Sequence, residues 1–479
     1  MEHWLIKRAN LSPDVLAVET FEQQWTYREL YEKSYQFARK ASFLKGKHVA
    51  ILSENSIEIV VAFWGCTLLG AKAVFLNTKL TESELVQQCN MADVEAVIGQ
   101  SSLLEPLQTL SCPLYSYEDL EVQPANSIEL VTEIDESSIC SMMFTSGTTG
   151  RAKAVVQTYE NHWSSAIASA LNLGLEARDK WLISLPIFHI SGLSTVIKSV
   201  IYGMPIFLMS SFHAANINQA IQTRGITHIS VVSTTCQRLL EELGDHRYPD
   251  TFRCMLLGGG PAPKSLLDRA AEKGIPIIQT YGMTETCSQI STLPMKDALR
   301  KLGSAGKALF AASLEIHKGQ EKLDANQIGE IVVKGPMVTP GYYQAEQANK
   351  KSFNSNWFYT GDMGYVDEEG FLYVVDRRSD LIISGGENIY PAEIEDVLLS
   401  LDGVKEAGVI GIQDKEWGQV PIAFVVLEKT WTEAKLRAYC ERHLARFKVP
   451  RKFYFCQSLP RNATNKLQRH LLHKKLIDK

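Results

Sequence analysis

From residue 48 onward, short apolar runs alternate with longer amphipathic ones. His48–Leu52 reads as a strand, Ile57–Leu69 as a helix and Ala71–Leu76 as a second strand. A strand–helix–strand unit of this length predicts a parallel pair with a right-handed crossover. The theme returns further on. Residues 216–223, 234–243 and 265–273 have helical spacing, while 227–232, 252–257 and 275–279 read as extended. This alternation predicts an α/β architecture with buried parallel strands.

After residue 303 the rhythm changes to short strands with glycine turns, at 329–333 and 370–375. That pattern predicts a small β subdomain over about 303–375. A charged stretch follows, Asp376-Arg377-Arg378-Ser379-Asp380, and reads as a hinge. Beyond it, 393–401 and 432–445 read as helices and 404–410 and 420–427 as strands. That is enough chain for an independent α+β domain. The expected organisation is a large N-terminal α/β domain over 1–375, including the β subdomain, a hinge at 376–380, and a smaller C-terminal domain over 381–479.

Composition narrows the class. The chain has 479 residues with 45% apolar and 22% charged side chains, ordinary values for a soluble globular protein. Net charge is −5 and no basic block occurs, which argues against nucleic acid as a partner. Nine cysteines are scattered without C-x-x-C pairs, so neither a zinc site nor a disulfide framework is indicated. Reduced thiols fit a cytoplasmic protein. The longest apolar stretch, Ile59–Leu69, is too short to span a bilayer, and the N-terminus lacks a signal-like apolar core.

Candidate chemistry begins at Thr145-Ser146-Gly147-Thr148-Thr149-Gly150-Arg151-Ala152-Lys153, a loop after the apolar run Ile139–Phe144. Hydroxyls and bare amides donate to polyphosphate oxygens, which only accept hydrogen bonds. Glycine lets the main chain approach them, and lysine adds a compact positive charge. A Walker A loop needs Gly-Lys-Ser/Thr in succession. Here Lys153 lies three residues after Gly150, so a P-loop kinase is excluded on spacing. Two further loops follow predicted strands: Gly258-Gly259-Gly260-Pro261-Ala262-Pro263 and Tyr281-Gly282-Met283-Thr284-Glu285. Ligands of α/β sheets bind beyond strand carboxyl ends, so the three loops are expected to share one site.

Five motifs then occur in order: TSGTTGRAK at 145–153, YGMTE at 281–285, YTGD at 359–362, DRRSDLIISGGENIYP at 376–391 and PRNATNK at 460–466. On these the chain resembles the acyl-adenylate-forming superfamily of acyl-CoA and aryl-CoA synthetases, luciferases and adenylation domains, over essentially its whole length. The resemblance implies that Thr145, Ser146, Gly147, Thr148, Thr149, Gly150 and Lys153 hold the β- and γ-phosphates of ATP. It implies adenine against Tyr281, Gly282, Gly260 and Pro261, ribose on Asp362 and Arg377, and the α-phosphate on Thr284. Glu285 is the expected Mg²⁺ carboxylate. Lys466 is expected to bridge the acyl carboxylate and the α-phosphate. Gly385 and Gly386 are expected to line the channel for coenzyme A. The family's hinge residue is commonly Asp or Lys, whereas alignment places Ser379 there.

The acid is addressed by another segment. Phe188-His189-Ile190-Ser191-Gly192 precedes a helical run, 193–202, and at helical spacing Ser191, Ser194, Thr195 and Lys198 fall on one face. A solvated stripe is one reading. The other is an acyl pocket supplying a cation and hydroxyls to a second acidic group, which a fatty-acyl pocket would not need. LNTKL at 76–80, PIFHISGLS at 186–194, YGMTETCSQI at 281–290 and LIISGGENIYPAE at 381–393 resemble o-succinylbenzoate–CoA ligases of menaquinone synthesis. That resemblance implies activation of the succinyl carboxylate, with His189, Ser191 and Lys198 as candidates for the acyl pocket, His189 also as a catalytic candidate. Other aryl- or fatty-acyl-CoA ligases, a carrier-loading adenylation domain and a non-catalytic nucleotide-binding regulator stay open, as does homo-oligomerisation.

Overall fold

The structure is a computed structural model. It describes the chain except residues 81, 108, 147–151, 260–261, 299, 378–381, 385–386, 390, 415–416, 445, 463–464 and 478–479, and also omits the side chains of 146, 295, 376–377, 383, 387–388, 475 and 477. Two parallel-rich sheets form its bulk. The first runs in the order Leu114–Ser116, Ala96–Gly99, His48–Leu52, Lys72–Phe75, Ile139–Ser146, Ala152–Thr158. All neighbours are parallel except the last pair, which is antiparallel. The second sheet has nine strands. Its centre, Ile277–Met283, Cys254–Leu257, His228–Val231, Trp181–Ile183, Ile206–Leu208 and Leu16–Glu19, is parallel throughout.

The helix Ile57–Leu68 shows why the longest apolar run needs no membrane. Ser56 caps it, its hydroxyl accepting from the Ile59 amide. Ile59, Val60, Phe63 and Trp64 share one core with Val49 and Phe75 of the first sheet and Trp181 and Ile206 of the second. A helix apolar on all faces is a buried helix. The helix Ile190–Tyr202 lies in the same core through Leu193, Val196, Ile197 and Val200.

A six-stranded antiparallel sheet carries Ser313–Lys318, Gly329–Lys334, Trp357–Val366 and Leu372–Arg377. A last sheet is built on the long hairpin Val404–Asp414 and Gly418–Leu427, with Phe453–Phe455 added in parallel. The helices Pro391–Leu399 and Glu433–His443 cover it, burying Ile394, Leu398, Leu436 and Cys440.

Two expectations need correcting. Residues 145–153 are not one loop. The first strand continues through Ser146, and a second begins at Ala152 and runs back antiparallel, so Lys153 stands opposite Thr145. Nor does Tyr281 open a loop. The strand Ile277–Met283 runs through it and pairs with Ser288–Thr292. Gly282 allows that pairing, because a Cβ there would lie 1.8 Å from the Ser288 carbonyl oxygen.

Candidate active site

The segment after Ser146 follows a strand of the first sheet, whereas Gly258 directly follows one strand of the nine-stranded sheet and Gly282 lies on another. Carboxyl ends of both sheets nonetheless open into one cleft of about 2660 Å³. Its walls include Thr145, Lys153, Gly258, Gly282, Thr284, Glu285, Asp362, Lys466, His189, Ser191, Ser194 and Lys198. The sequence-derived candidates that can be placed therefore converge, with one difference: Tyr281 does not line the cleft. Gly147, Thr148, Thr149, Gly150, Gly260, Pro261, Ser379, Gly385 and Gly386 lie outside the described residues, as do the side chains of Ser146 and Arg377.

At one end of the cleft, Thr145 and Lys153 are cross-strand partners. Directly opposed residues project from the same face of a sheet. The Lys153 ammonium lies 4.7 Å from the centre of the Tyr342 ring. The Tyr342 hydroxyl in turn donates to Glu285 Oε1 at 3.0 Å. Glu285 belongs to a single 3₁₀ turn, Thr284–Thr286, fixed from outside. The Thr339 amide donates to the Glu285 carbonyl at 2.8 Å, and Gln157 Nε2 donates to the Thr284 carbonyl at 2.9 Å.

Gln157 is itself held by a buried relay. Ser141 Oγ donates to Gln157 Oε1 at 2.7 Å and contacts His162 Nε2 at 2.8 Å. With its proton given to Gln157, Ser141 accepts from His162, which fixes the histidine tautomer. Burial pushes His162 down to about 3, so it is neutral.

Asp362 Oδ2 accepts from the Tyr281 hydroxyl at 2.9 Å, and Arg377 occupies the position opposite Asp362 on the neighbouring strand. Tyr281 thus meets the cleft through Asp362, its ring packing into the antiparallel subdomain's core. Lys466 reaches the cleft from a self-closed loop. Its amide donates to Asn462 Oδ1 at 2.8 Å, and Arg461 pairs with Glu406 at 2.7 Å. Asn465 hydrogen-bonds to Thr234, at the start of the helix Ser233–Leu243, and so joins the C-terminal loop to the large sheets.

The cleft wall also holds a buried cation. Lys198 is 2% exposed, and burial pushes its ammonium down to about 8. It donates to Gln289 Oε1 at 3.3 Å and lies 5.4 Å from the Trp181 ring centre. Gln289 Nε2 donates to Thr292 Oγ1, which sets the amide orientation. Among the described residues no carboxylate forms an ion pair with Lys198. Of the polar stripe read from sequence, Ser191, Ser194 and Lys198 face the cleft and not solvent, while Thr195 is buried off it with its hydroxyl on the Ser191 carbonyl. His189 is held neutral, pushed down to about 4 by burial and by Lys79, and its Nε2 has no partner among the described residues. It can donate or accept, but it is not a second cation.

Magnesium fits the cleft wall at Glu285. A carboxylate there offers hard oxygen ligands. Among the described residues no cluster of three or more His, Cys, Asp or Glu could hold a metal ion. Mg²⁺ held through one carboxylate, water and substrate phosphates needs none.

Sequence reasoning missed Tyr342, Gln157, Gln289 and Trp181. None lies at motif spacing from its partner: Tyr342 is 57 residues from Glu285, Gln157 is 127 from Thr284 and Gln289 is 91 from Lys198. Only the folded chain makes them neighbours. Gln289 did fall inside the YGMTETCSQI string, which was the one available signal.

Residues 5–343 match the family model described as AMP-binding enzyme, and 393–466 match the AMP-binding enzyme C-terminal domain. The chain belongs to the AMP-binding enzyme family. A 2-succinylbenzoate–CoA ligase of Oceanobacillus iheyensis is 54% identical over 98% of this chain and 99% of that one. The o-succinylbenzoate CoA synthetase of Bacillus subtilis, in complex with its acyl-adenylate intermediate, matches with a TM-score of 0.94 at 47% identity, covering 98% of each chain. With ATP and magnesium ion, the same enzyme again gives 0.94, at 46% identity over 99% of each chain. A double mutant of it bound with a product analogue gives 0.77, at 46% identity over 99% of this chain and 98% of that one. The whole chain superposes more closely on the adenylate and ATP complexes than on that product-analogue complex.

Proposed function

We propose that the protein is an ATP-dependent o-succinylbenzoate–CoA ligase serving menaquinone synthesis in the cytoplasm. No helix among the described residues is long and apolar enough to cross a membrane. The observation that carries the substrate assignment is Lys198. A buried ammonium without a carboxylate partner is costly, and that cost is relieved when a ligand brings the anion. A fatty acid has only one carboxylate, and the reaction consumes it. o-Succinylbenzoate has a second, on its ring, to meet Lys198, with Ser191 and neutral His189 as further hydrogen-bonding groups.

The reaction has two steps. A succinyl carboxylate oxygen attacks the α-phosphorus of ATP, the bond to the β-phosphate bridging oxygen breaks, and pyrophosphate leaves. Lys466 bridges the attacking carboxylate and the α-phosphate, offsetting negative charge that grows in the transition state. Thr284 donates to the α-phosphate, while Thr145, Lys153 and the 146–150 segment hold the leaving pyrophosphate. Asp362, backed by the Tyr281 hydroxyl, and Arg377 hold the ribose, and Gly260, Pro261 and Gly282 border the base. Mg²⁺ at Glu285 neutralises charge on the phosphate oxygens when bound. The coenzyme A thiol sulfur then attacks the acyl carbon, the acyl–phosphate oxygen bond breaks with AMP departing, and the thiol proton passes to solvent. Both steps rely on orientation and charge, without a protein nucleophile.

The second step needs a channel for pantetheine where Lys466 now stands. We infer that residues 381–479 turn about 376–380 relative to 1–375, exchanging the Lys466 loop for Gly385 and Gly386. The test of the whole reading is coenzyme A thioester formation from o-succinylbenzoate beside benzoate and succinate. Turnover of the first alone is expected; no turnover of it would sink the assignment.

A further inference from the structure

We propose that Tyr342 is a positioning residue that aims the Glu285 carboxylate at the nucleotide's metal ion and seats Lys153 beside it. The proposal rests on the assignment of Glu285 to Mg²⁺ and of Lys153 to the phosphates. Tyr342 is 7% exposed and borders the cleft. Its hydroxyl holds Glu285 Oε1 at 3.0 Å, and its ring lies 4.7 Å from the Lys153 ammonium. One side chain therefore touches both groups that would meet the polyphosphate.

The main chain around it is stitched to both elements. Toward the Lys153 strand, the Val156 amide donates to the Gly341 carbonyl at 3.0 Å and the Tyr343 amide to the Ala154 carbonyl at 2.8 Å. Tyr342 itself bridges Val155. Toward the Glu285 turn, the Thr339 amide donates to the Glu285 carbonyl at 2.8 Å. Asn349 locks the tyrosine in place: its Oδ1 accepts from the Tyr342 amide at 2.8 Å, and its Nδ2 donates to the Tyr342 carbonyl at 2.9 Å.

A carboxylate free to rotate loses freedom when it takes a metal. One already held by a phenol has lost that freedom in advance. The phenol carries one proton, and facing a carboxylate oxygen it acts as the donor. The ring face, rich in π density, holds the lysine without neutralising it. The Lys153 charge thus remains available to phosphate.

The test is metal and nucleotide binding, without any acid substrate. Mn²⁺ binding to the enzyme–ATP complex is followed by electron paramagnetic resonance, and metal-free ATP binding by calorimetry. Tyr342→Phe keeps the ring and removes the donor. It is expected to weaken Mn²⁺ about tenfold, as for loss of a hydrogen bond to a charged group, with metal-free ATP affinity and melting temperature unchanged. Tyr342→Leu is expected to weaken metal-free ATP as well, because Lys153 loses its seat. Added to Glu285→Gln, Tyr342→Phe is expected to cost nothing more. Parent-like Mn²⁺ binding by Tyr342→Phe, equal loss of metal-free ATP binding, or additivity with Glu285→Gln would each overturn the proposal. Because no acid is present, these outcomes are separate from failure of the o-succinylbenzoate assignment.

Discussion

On the proposed reading Lys198 selects the acid, because among the described residues no carboxylate forms an ion pair with its buried ammonium. The ammonium, pushed down to about 8 by burial, must be protonated to meet a carboxylate. The KM for o-succinylbenzoate is therefore expected to rise above about pH 8, approaching tenfold per pH unit, while the KM for ATP stays level. Lys198→Met should raise the acid KM by about 10- to 100-fold and flatten that pH profile, in steady-state assays. Stability gives an independent sign. The folded value lies below the ordinary lysine value of 10.5, so between about 8 and 10.5 the unfolded chain binds more protons. Stability of the parent relative to Lys198→Met should rise with pH across that window, measured by urea unfolding. Sequence spacing located the stripe containing Lys198. It could not choose between cleft and solvent, because a polar helix face looks the same in both settings.

At the scale of elements, strands had to be distinguished from loops. Glycines and hydroxyls in 145–153 and 281–285 read as turns, yet Thr145, Lys153, Tyr281 and Gly282 lie on strands. The reason is that local composition reports flexibility, whereas pairing depends on a partner strand distant in sequence or newly turned back. Gly282 illustrates the cost of ignoring that partner. Gly282→Ala places a Cβ against the Ser288 carbonyl, and the two strands must separate. A loss of about 1–3 kcal/mol in urea unfolding is expected, with adenylation reduced because the Thr284–Thr286 turn follows directly. By contrast, His48–Leu52 was legible to the residue, and the buried helix from Ile57 to within one residue. Their apolar runs are long, and Ser56 supplies a start signal.

For the whole molecule, the informative contact is Asn465 with Thr234, which holds the Lys466 loop against the large sheets. Thr234→Val keeps the branched shape and removes the hydroxyl. It is expected to slow pyrophosphate release a few-fold in a single-turnover assay, and to leave thioester formation from supplied acyl-adenylate unchanged, since a typical hydrogen bond contributes about 1 kcal/mol. The amino-acid sequence by itself determined the α/β class, the family and the order of its motifs, because strand and helix periodicity and phosphate-binding chemistry are local properties. Tertiary structure alone decided that two different sheets supply one cleft, that Lys198 turns inward, that Tyr281 serves Asp362, and that Tyr342 joins Lys153 to Glu285. Those are contacts between residues tens to hundreds of positions apart, and no local pattern encodes them.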